Sequence, residues 1–309
     1  MPWLEELKRV SGLRVKTNEP LGKYTSMKVG GPADYLLEAE TPLALAEALR
    51  RLDRHGISFC LLGKGSNVLI SDVGIRGAVV RLGKEFTQIE WREEKTGAEV
   101  IAGAAYPVAR LAREAVKRGY AGLEFAEGIP ASIGGALVMN AGAYGSEMER
   151  VVQKVEGLGR TGEEIHLSRA DLAFSYRKTD LPPDLVITRV WLRLARGAPE
   201  AMRRKLDELL KKRKTSQPSG LPNSGSMFQN PPGDFAGRLI EAAGLKGKKI
   251  GRAQISERHA NFIVNLGGAR SEDVRRLMDL ARSEVKTKFG VDLKSEVRMI
   301  GEWPYGDHS

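Results

Sequence analysis

The spacing of apolar positions changes several times along this chain. Trp3, Leu4, Leu7 and Val10 fall at helical spacing within Met1 to Val10. Thr41-Pro42 then predicts a helix start, with threonine as N-cap and proline in the first turn; Leu45, Leu49 and Leu52 continue its stripe and Gly56 ends it. Short β-rich runs follow at 57–62, 68–70, 78–82, 87–91 and 99–102, separated by Gly, Asn and Asp. A helix is predicted over 107–118, and strands over 151–158, 164–167 and 185–194. Near Gly197 the character shifts. A charged helix is predicted over 199–214, a long polar loop over 215–232 and a short helix over 235–243. A strand over 261–266, a helix over 271–289 with Ser271 as N-cap, and a last strand over 297–300 complete the chain. The class is α+β, strand-rich in the first two thirds, with a boundary near residue 197.

Composition narrows this picture. Of 309 residues 35 are glycine and only one, Cys60, is cysteine. A single cysteine excludes an internal disulfide framework and a cysteine zinc cluster. No stretch approaches the roughly 18 consecutive apolar residues of a membrane-spanning helix. The first ten residues carry Glu5 and Glu6 and lack an apolar core, so they do not read as a secretory signal; a reducing cytoplasm is the expected location. The formal charge of +10 is compatible with nucleic acid, a membrane surface or an anionic small molecule. Its densest run, Lys211-Lys212-Arg213-Lys214, closes a predicted helix, where cations complement the dipole.

Much of the glycine is gathered in particular segments. Gly63-Lys64-Gly65-Ser66-Asn67 lies between two predicted strands, a setting in which consecutive backbone N–H groups form a concave anion site. It is not a Rossmann fingerprint, because Val68 stands where a third glycine is needed and no helix follows; no Walker sequence occurs either. The segment from Gly128 to Gly145 is glycine-rich yet apolar, unlike a flexible linker. Such a backbone suits a large flat ligand or the tight packing of a short helix. Thr25 to Pro32 is a third segment of this kind.

These three segments, in this order, resemble the UDP-N-acetylenolpyruvoylglucosamine reductase (UDP-N-acetylmuramate dehydrogenase) family, over about Tyr24 to Met299. The resemblance implies a vanillyl-alcohol-oxidase-like FAD-binding fold of two α+β subdomains plus a C-terminal α+β substrate-binding domain. Residues 1–85, completed by 292–309, would form the first subdomain, 86–197 the second and 198–291 the substrate domain. It further implies non-covalent FAD held by Gly63, Lys64, Gly65, Ser66 and Asn67 at the pyrophosphate. Along the flavin it implies Gly128, Ile129, Ser132, Gly134, Gly135, Asn140 and Ala143. Ala131 replaces a glycine common in the family. No insertion between about 194 and 199 supplies the extra tyrosine-bearing loop of longer members, so the chain is similar to the shorter subtype.

Three further motifs match the family's catalytic positions: Phe174-Ser175-Tyr176-Arg177, Pro222 to Pro231, and Lys294 to Arg298. The implied reaction is NADPH-dependent reduction of the enolpyruvyl ether of UDP-N-acetylglucosamine, in peptidoglycan precursor synthesis, by way of FAD. Hydride goes from flavin N5 to the methylene carbon, and negative charge spreads into the carboxylate. The resemblance assigns Arg177 and Glu296 to that charge, Ser226 to donation of the proton, and Tyr176 and Asn230 to the substrate. Gln229 and Ser216 stand where the family usually has lysines, which leaves open which cations hold the UDP diphosphate.

Other readings are less well supported. An alcohol or lactone oxidase of the same fold often attaches its flavin through His or Cys, and neither flavin loop contains one. Ser175 with Lys178 fits S-x-x-K, and Lys95-Thr96-Gly97 fits K-T-G, but their order is reversed and no S-D-N intervenes. A nucleic-acid binder predicts aromatics interleaved with basic residues, and only 6% of the chain is aromatic. No metal-ligand spacing is present, so neither a metal, nor nucleic acid, nor a membrane is expected as partner.

Overall fold

The computed structural model describes residues Pro2 to Trp303. Its helices are α1 (Pro2–Lys8), α2 (Pro42–Arg54), α3 (Val108–Lys117), α4 (Ile133–Val138), α5 (Pro199–Ser216), α6 (Ala236–Ala242) and α7 (Ser271–Phe289). The chain forms two compact units. The first comprises Met1–Thr17, Tyr35–Lys64 and Gly77–Lys212, and the second Asn18–Asp34, Gly65–Arg76 and Arg213–Ser309.

One sheet has the strand order Leu13–Pro20, Pro32–Ala39, Ile75–Leu82, Phe59–Leu61. The first two of these strands were not anticipated, because their burial is irregular and their sequences, LRVKTNEP and PADYLLEA, carry no alternation. α2 begins as predicted. Thr41 is the N-cap and its side chain accepts a hydrogen bond from Ala44 N. Leu45, Leu49 and Leu52 are completely buried in a cluster with Leu37, Ala78 and Val80. A second sheet in this unit is antiparallel, in the order Glu164–Ser168, Val152–Leu158, Val186–Arg196, Gly97–Gly103, Ile89–Glu93. Its buried face and α3 share the largest apolar cluster of the unit, including Val100, Leu111, Leu137 and Val190.

The second unit contains an antiparallel sheet ordered Asn223–Ser226, Phe262–Asn265, Ala253–Ile255, Lys249–Ile250. Its core includes Met227, Phe228, Leu239, Ile263 and Leu277. Val68–Ile70 pairs in parallel with Arg298–Ile300. Two expectations are corrected here. The stretch read as one polar loop contains the strand Asn223–Ser226, whose three polar residues and one glycine give no hydrophobic signal. Ser271 is not the N-cap of α7; it is the first helical residue, fully buried, and its hydroxyl donates to Ile70 O at 2.5 Å. The amides of Ser271 and Glu272 donate instead to the Asp72 carboxylate at 2.9 and 3.0 Å. A carboxylate there satisfies orphan donors and complements the helix dipole.

Replacing Thr41 with alanine is expected to lower unfolding free energy by about 1 kcal/mol, and Leu49→Ala by about 2–5 kcal/mol. Urea denaturation of both variants checks this; an equal effect of the two would contradict the packing described.

Candidate active site

Gly63 is pressed against the second glycine-rich segment within the first unit. A Cβ built on Gly63 would lie 3.0 Å from Ser132 Oγ. Ser132 is the N-cap of α4, and its hydroxyl oxygen accepts from Gly135 N at 3.3 Å. Gly134 lies equally close to the sheet: its N–H donates to Ala104 O at 2.9 Å, and an added Cβ would come 3.1 Å from Ala104 Cβ. So the apolar glycine segment does form a short helix, and that helix is held tightly beside the first loop. Glu127, just before the segment, is buried and receives a two-pronged hydrogen bond from Arg113, with contacts of 2.7–3.1 Å. Nothing in the sequence marks this pair, since its members lie 14 residues apart. Gly128 has φ 74° and Ile129 N donates to Ala126 O at 3.0 Å.

The end of α4 grips the hairpin that carries Arg177. Thr179 Oγ1 donates to Leu137 O at 2.5 Å. Asn140, fully buried with φ 37°, donates to Ser175 O at 3.2 Å and accepts from Glu149 N at 3.0 Å. Both ends of the Asn140 amide are therefore occupied inside the unit, and this side chain ties the glycine segment to the hairpin. Ser175 pairs with Lys178 across a two-residue turn, Tyr176-Arg177. Arg177 takes φ 58°, and its guanidinium carbon sits 4.9 Å from the centroid of the half-exposed Tyr176 ring. Ala143 pairs with Ser146 across a second turn, Tyr144-Gly145, with φ of 54° and 80°; positive φ at both positions is the tight-hairpin geometry.

The rest of the first loop, Gly65 to Asn67, belongs to the second unit. Gly65 has φ 61°, and an added Cβ would come 2.3 Å from Tyr24 O. That approach is fixed by Ser26 N donating to Gly65 O at 2.9 Å, while Ser26 Oγ reaches Asn223 O at 2.7 Å. Only glycine permits both the conformation and the contact. Among the described residues, the backbone N–H groups of Gly63, Lys64, Gly65, Ser66 and Asn67 have no protein acceptor. A run of amides left open in this way is available to water or to an anion.

Ser226 and Glu296 lie side by side in this unit. Glu296 N donates to Met227 O at 2.8 Å, and Phe228 forms an antiparallel bridge with Ser295. Asn67 Nδ2 donates to Glu296 O at 3.1 Å, so the loop and the carboxylate-bearing segment are joined directly. Ser226 stands at the end of its strand after Gly225, which takes φ 76°; both it and Glu296 are half-buried. Asn261 was missed from sequence. It is buried, accepts from Phe228 N at 2.9 Å and donates to Phe228 O at 2.8 Å, and so clamps the chain just after Ser226. Its N–H donates to His259 Nδ1 at 3.2 Å. Burial pushes the His259 imidazole below its ordinary pKa, with nearby Lys246 acting in the same direction. Asn230 Oδ1 accepts from Ala236 N at 3.1 Å at the start of α6. No group of three or more His, Cys, Asp or Glu among the described residues could hold a metal ion.

Comparison with known proteins adds the following. Residues 33–168 match a family described as FAD binding domain. Residues 217–300 match the C-terminal domain of UDP-N-acetylenolpyruvoylglucosamine reductase. The UDP-N-acetylenolpyruvoylglucosamine reductase of Rubrobacter xylanophilus is 46% identical over 93% of this chain and 95% of its own. That of Caldanaerobacter subterraneus is 43% identical over 92% and 93%. The crystal structure of the reductase from Thermus caldophilus is 38% identical, with TM-score 0.80 over 94% of this chain and 100% of that one.

Gly65→Ala is expected to yield folded protein with much less bound flavin, read as flavin absorbance per chain, because the methyl group forces the loop off Tyr24. Full flavin occupancy would show that the loop position is not needed. For His259 the sign is set by its lowered pKa. The unfolded chain takes up a proton near the ordinary value of about 6.5, and the folded one resists it. Stability conferred by the neutral imidazole is therefore complete above that value and is lost as pH falls below it. His259→Gln is expected to flatten the decline of the urea midpoint below about pH 6.5; an unchanged slope refutes this.

Proposed function

The chain belongs to the UDP-N-acetylenolpyruvoylglucosamine reductase family, and on that premise we propose that it reduces UDP-N-acetylglucosamine enolpyruvate to UDP-N-acetylmuramate with NADPH as reductant. It is an FAD-dependent oxidoreductase of peptidoglycan synthesis. The residues present fit the cofactor: the open amides of 63–67 suit a diphosphate, and Gly63 beside Ser132 leaves a surface that a side chain would fill. When bound, FAD supplies the relay that carries hydride from NADPH to the enolpyruvyl methylene carbon. Lys64, Ser66, Ile129, Ser132, Gly134, Gly135 and Ala143 are assigned to its binding, with Asn140 acting through the hairpin it holds.

Hydride addition converts the methylene carbon to a methyl group and leaves the electron pair on the adjacent carbon, delocalised into the carboxylate. Arg177 is assigned to that carboxylate, because a planar guanidinium can donate to two oxygens at once. Glu296 assists while it holds or shares a proton, since two bare carboxylates repel. The Ser226 hydroxyl then gives its proton to the carbanionic carbon and is reprotonated from solvent. The observation that supports this reading best is the 2.8 Å hydrogen bond from Glu296 N to Met227 O, which sets the proton donor's strand beside the acidic group. Tyr176 and Asn230 are assigned to the substrate. As domains we assign 1–85 with 292–309, and 86–197, to the cofactor, and 198–291 to the substrate; of these, residue 1 and residues 304–309 lie outside the described residues. No helix among the described residues is long and apolar enough to cross a membrane. The reading places the enzyme in the cytoplasm, with no nucleic-acid partner.

Ser226→Ala is expected to bleach its flavin with NADPH at the wild-type rate. Reoxidation by the enolpyruvyl sugar should slow by roughly 10²–10⁴-fold, the usual scale for a lost general acid. Rapid-mixing absorbance separates the two steps, and fast reoxidation would remove Ser226 from its role.

A further inference from the structure

The second unit displays an aromatic ring at the start of α6. Phe235 is 66% exposed, although the loop that carries it is fixed on both sides. Asp234 Oδ1 accepts from Phe235 N at 2.6 Å and from Arg238 Nε at 2.7 Å. That guanidinium holds the Asp234 carboxyl down at about 2, so the clasp persists across the working pH range. On the far side Asn230 Oδ1 accepts from Ala236 N at 3.1 Å. Pro231 and Pro232 restrict the intervening backbone, and Gly233, with φ 77°, completes the turn. A ring displayed on a rigid loop loses little conformational entropy when it captures a flat partner.

The polar group beside it narrows what that partner is. The Asn230 carbonyl oxygen is occupied by the amide that follows Phe235, while its Nδ2 has no acceptor among the described residues. Ring and amide donor are thus offered together, linked by a single hydrogen bond. A pyrimidine base matches this pair, with a π face for the phenyl ring and a ring carbonyl oxygen for the amide. We propose that Phe235 is the stacking platform for the uracil of the UDP-sugar, with Asn230 donating to a carbonyl oxygen of that base. The inference rests on the function proposed above and adds the residue that recognises the nucleobase.

The test uses the intact holoenzyme reduced by NADPH and then mixed with the enolpyruvyl sugar. Phe235→Ala is expected to raise the half-saturating sugar concentration by roughly tenfold or more, the loss typical of a base–aromatic stack. Its limiting reoxidation rate should change far less, and Phe235→Trp should restore affinity. UMP, which carries the base without the sugar or the enolpyruvyl group, should compete with the sugar on the wild type and much less on Phe235→Ala. The ring is exposed and lies outside the core cluster, so circular dichroism of the variant should match the wild type. Unaltered half-saturation and UMP competition in Phe235→Ala would overturn the proposal. So would a weakened response to NADPH with unchanged response to the sugar, which would assign the ring to the reductant. A wild-type flavin that NADPH reduces but the sugar cannot reoxidise would instead defeat the function reading itself.

Discussion

A backbone N–H that finds no acceptor in its own protein has to find one elsewhere, because leaving it unmade costs about 1–3 kcal/mol when water is excluded. The loop from Gly63 to Asn67 carries a run of such groups, and much of the site is organised around keeping them open. Gly65 lets the chain lie against Tyr24 with its N–H free. Asn67 spends its side chain on Glu296 O while its backbone N–H stays unused. Ser132, beside Gly63, turns its hydroxyl oxygen toward Gly135 N. The residues around the loop satisfy one another and leave its amides without a protein acceptor among the described residues.

From that constraint two chains of contact lead to the chemistry, one inside each unit. In the first, Gly63 meets Ser132, α4 follows, and Leu137 and Asn140 hold both strands of the hairpin that bears Tyr176 and Arg177. In the second, Asn67 holds Glu296, Glu296 N holds Met227 O, and Asn261 clamps Phe228. Glu296 is one hydrogen bond from the loop 63–67 and Met227, next to Ser226, is two, whereas Arg177 is reached from Gly63 by way of Ser132, α4 and the hairpin.

Much of this was legible in the sequence, and the limits have physical causes. α2 and α7 have strong apolar stripes and were found nearly to the residue. The strand Asn223–Ser226 was hidden because burial there is achieved by small polar residues bonded to backbone. The cap of α7 was hidden because Asp72 reaches it from about 200 positions away, and local sequence rules see only neighbours. Asn140 was assigned to the flavin from its place in a motif; that its amide also bonds Ser175 O and Glu149 N was not legible. Asn261 and the Arg113–Glu127 pair were missed for the same reason as Asp72. Their partners are set by tertiary contacts.

The second unit is assembled from three separate stretches of chain. Its joining contacts have very long sequence separations: Asp72 to Glu272, Asn67 to Glu296, and Met27 O to Asn265. Non-local contacts of this kind close late, after most of the loop entropy has been lost. On the ribosome, residues 18–34 and 65–76 emerge early and can meet each other, as Ser26 N meets Gly65 O and Gly31 N meets Ser71 O, but their partners among the last hundred residues follow much later. During that interval the first unit can fold as a unit of its own, while Asn67 still lacks its partner Glu296 O. The second unit is therefore complete only when the last of its three stretches has been made.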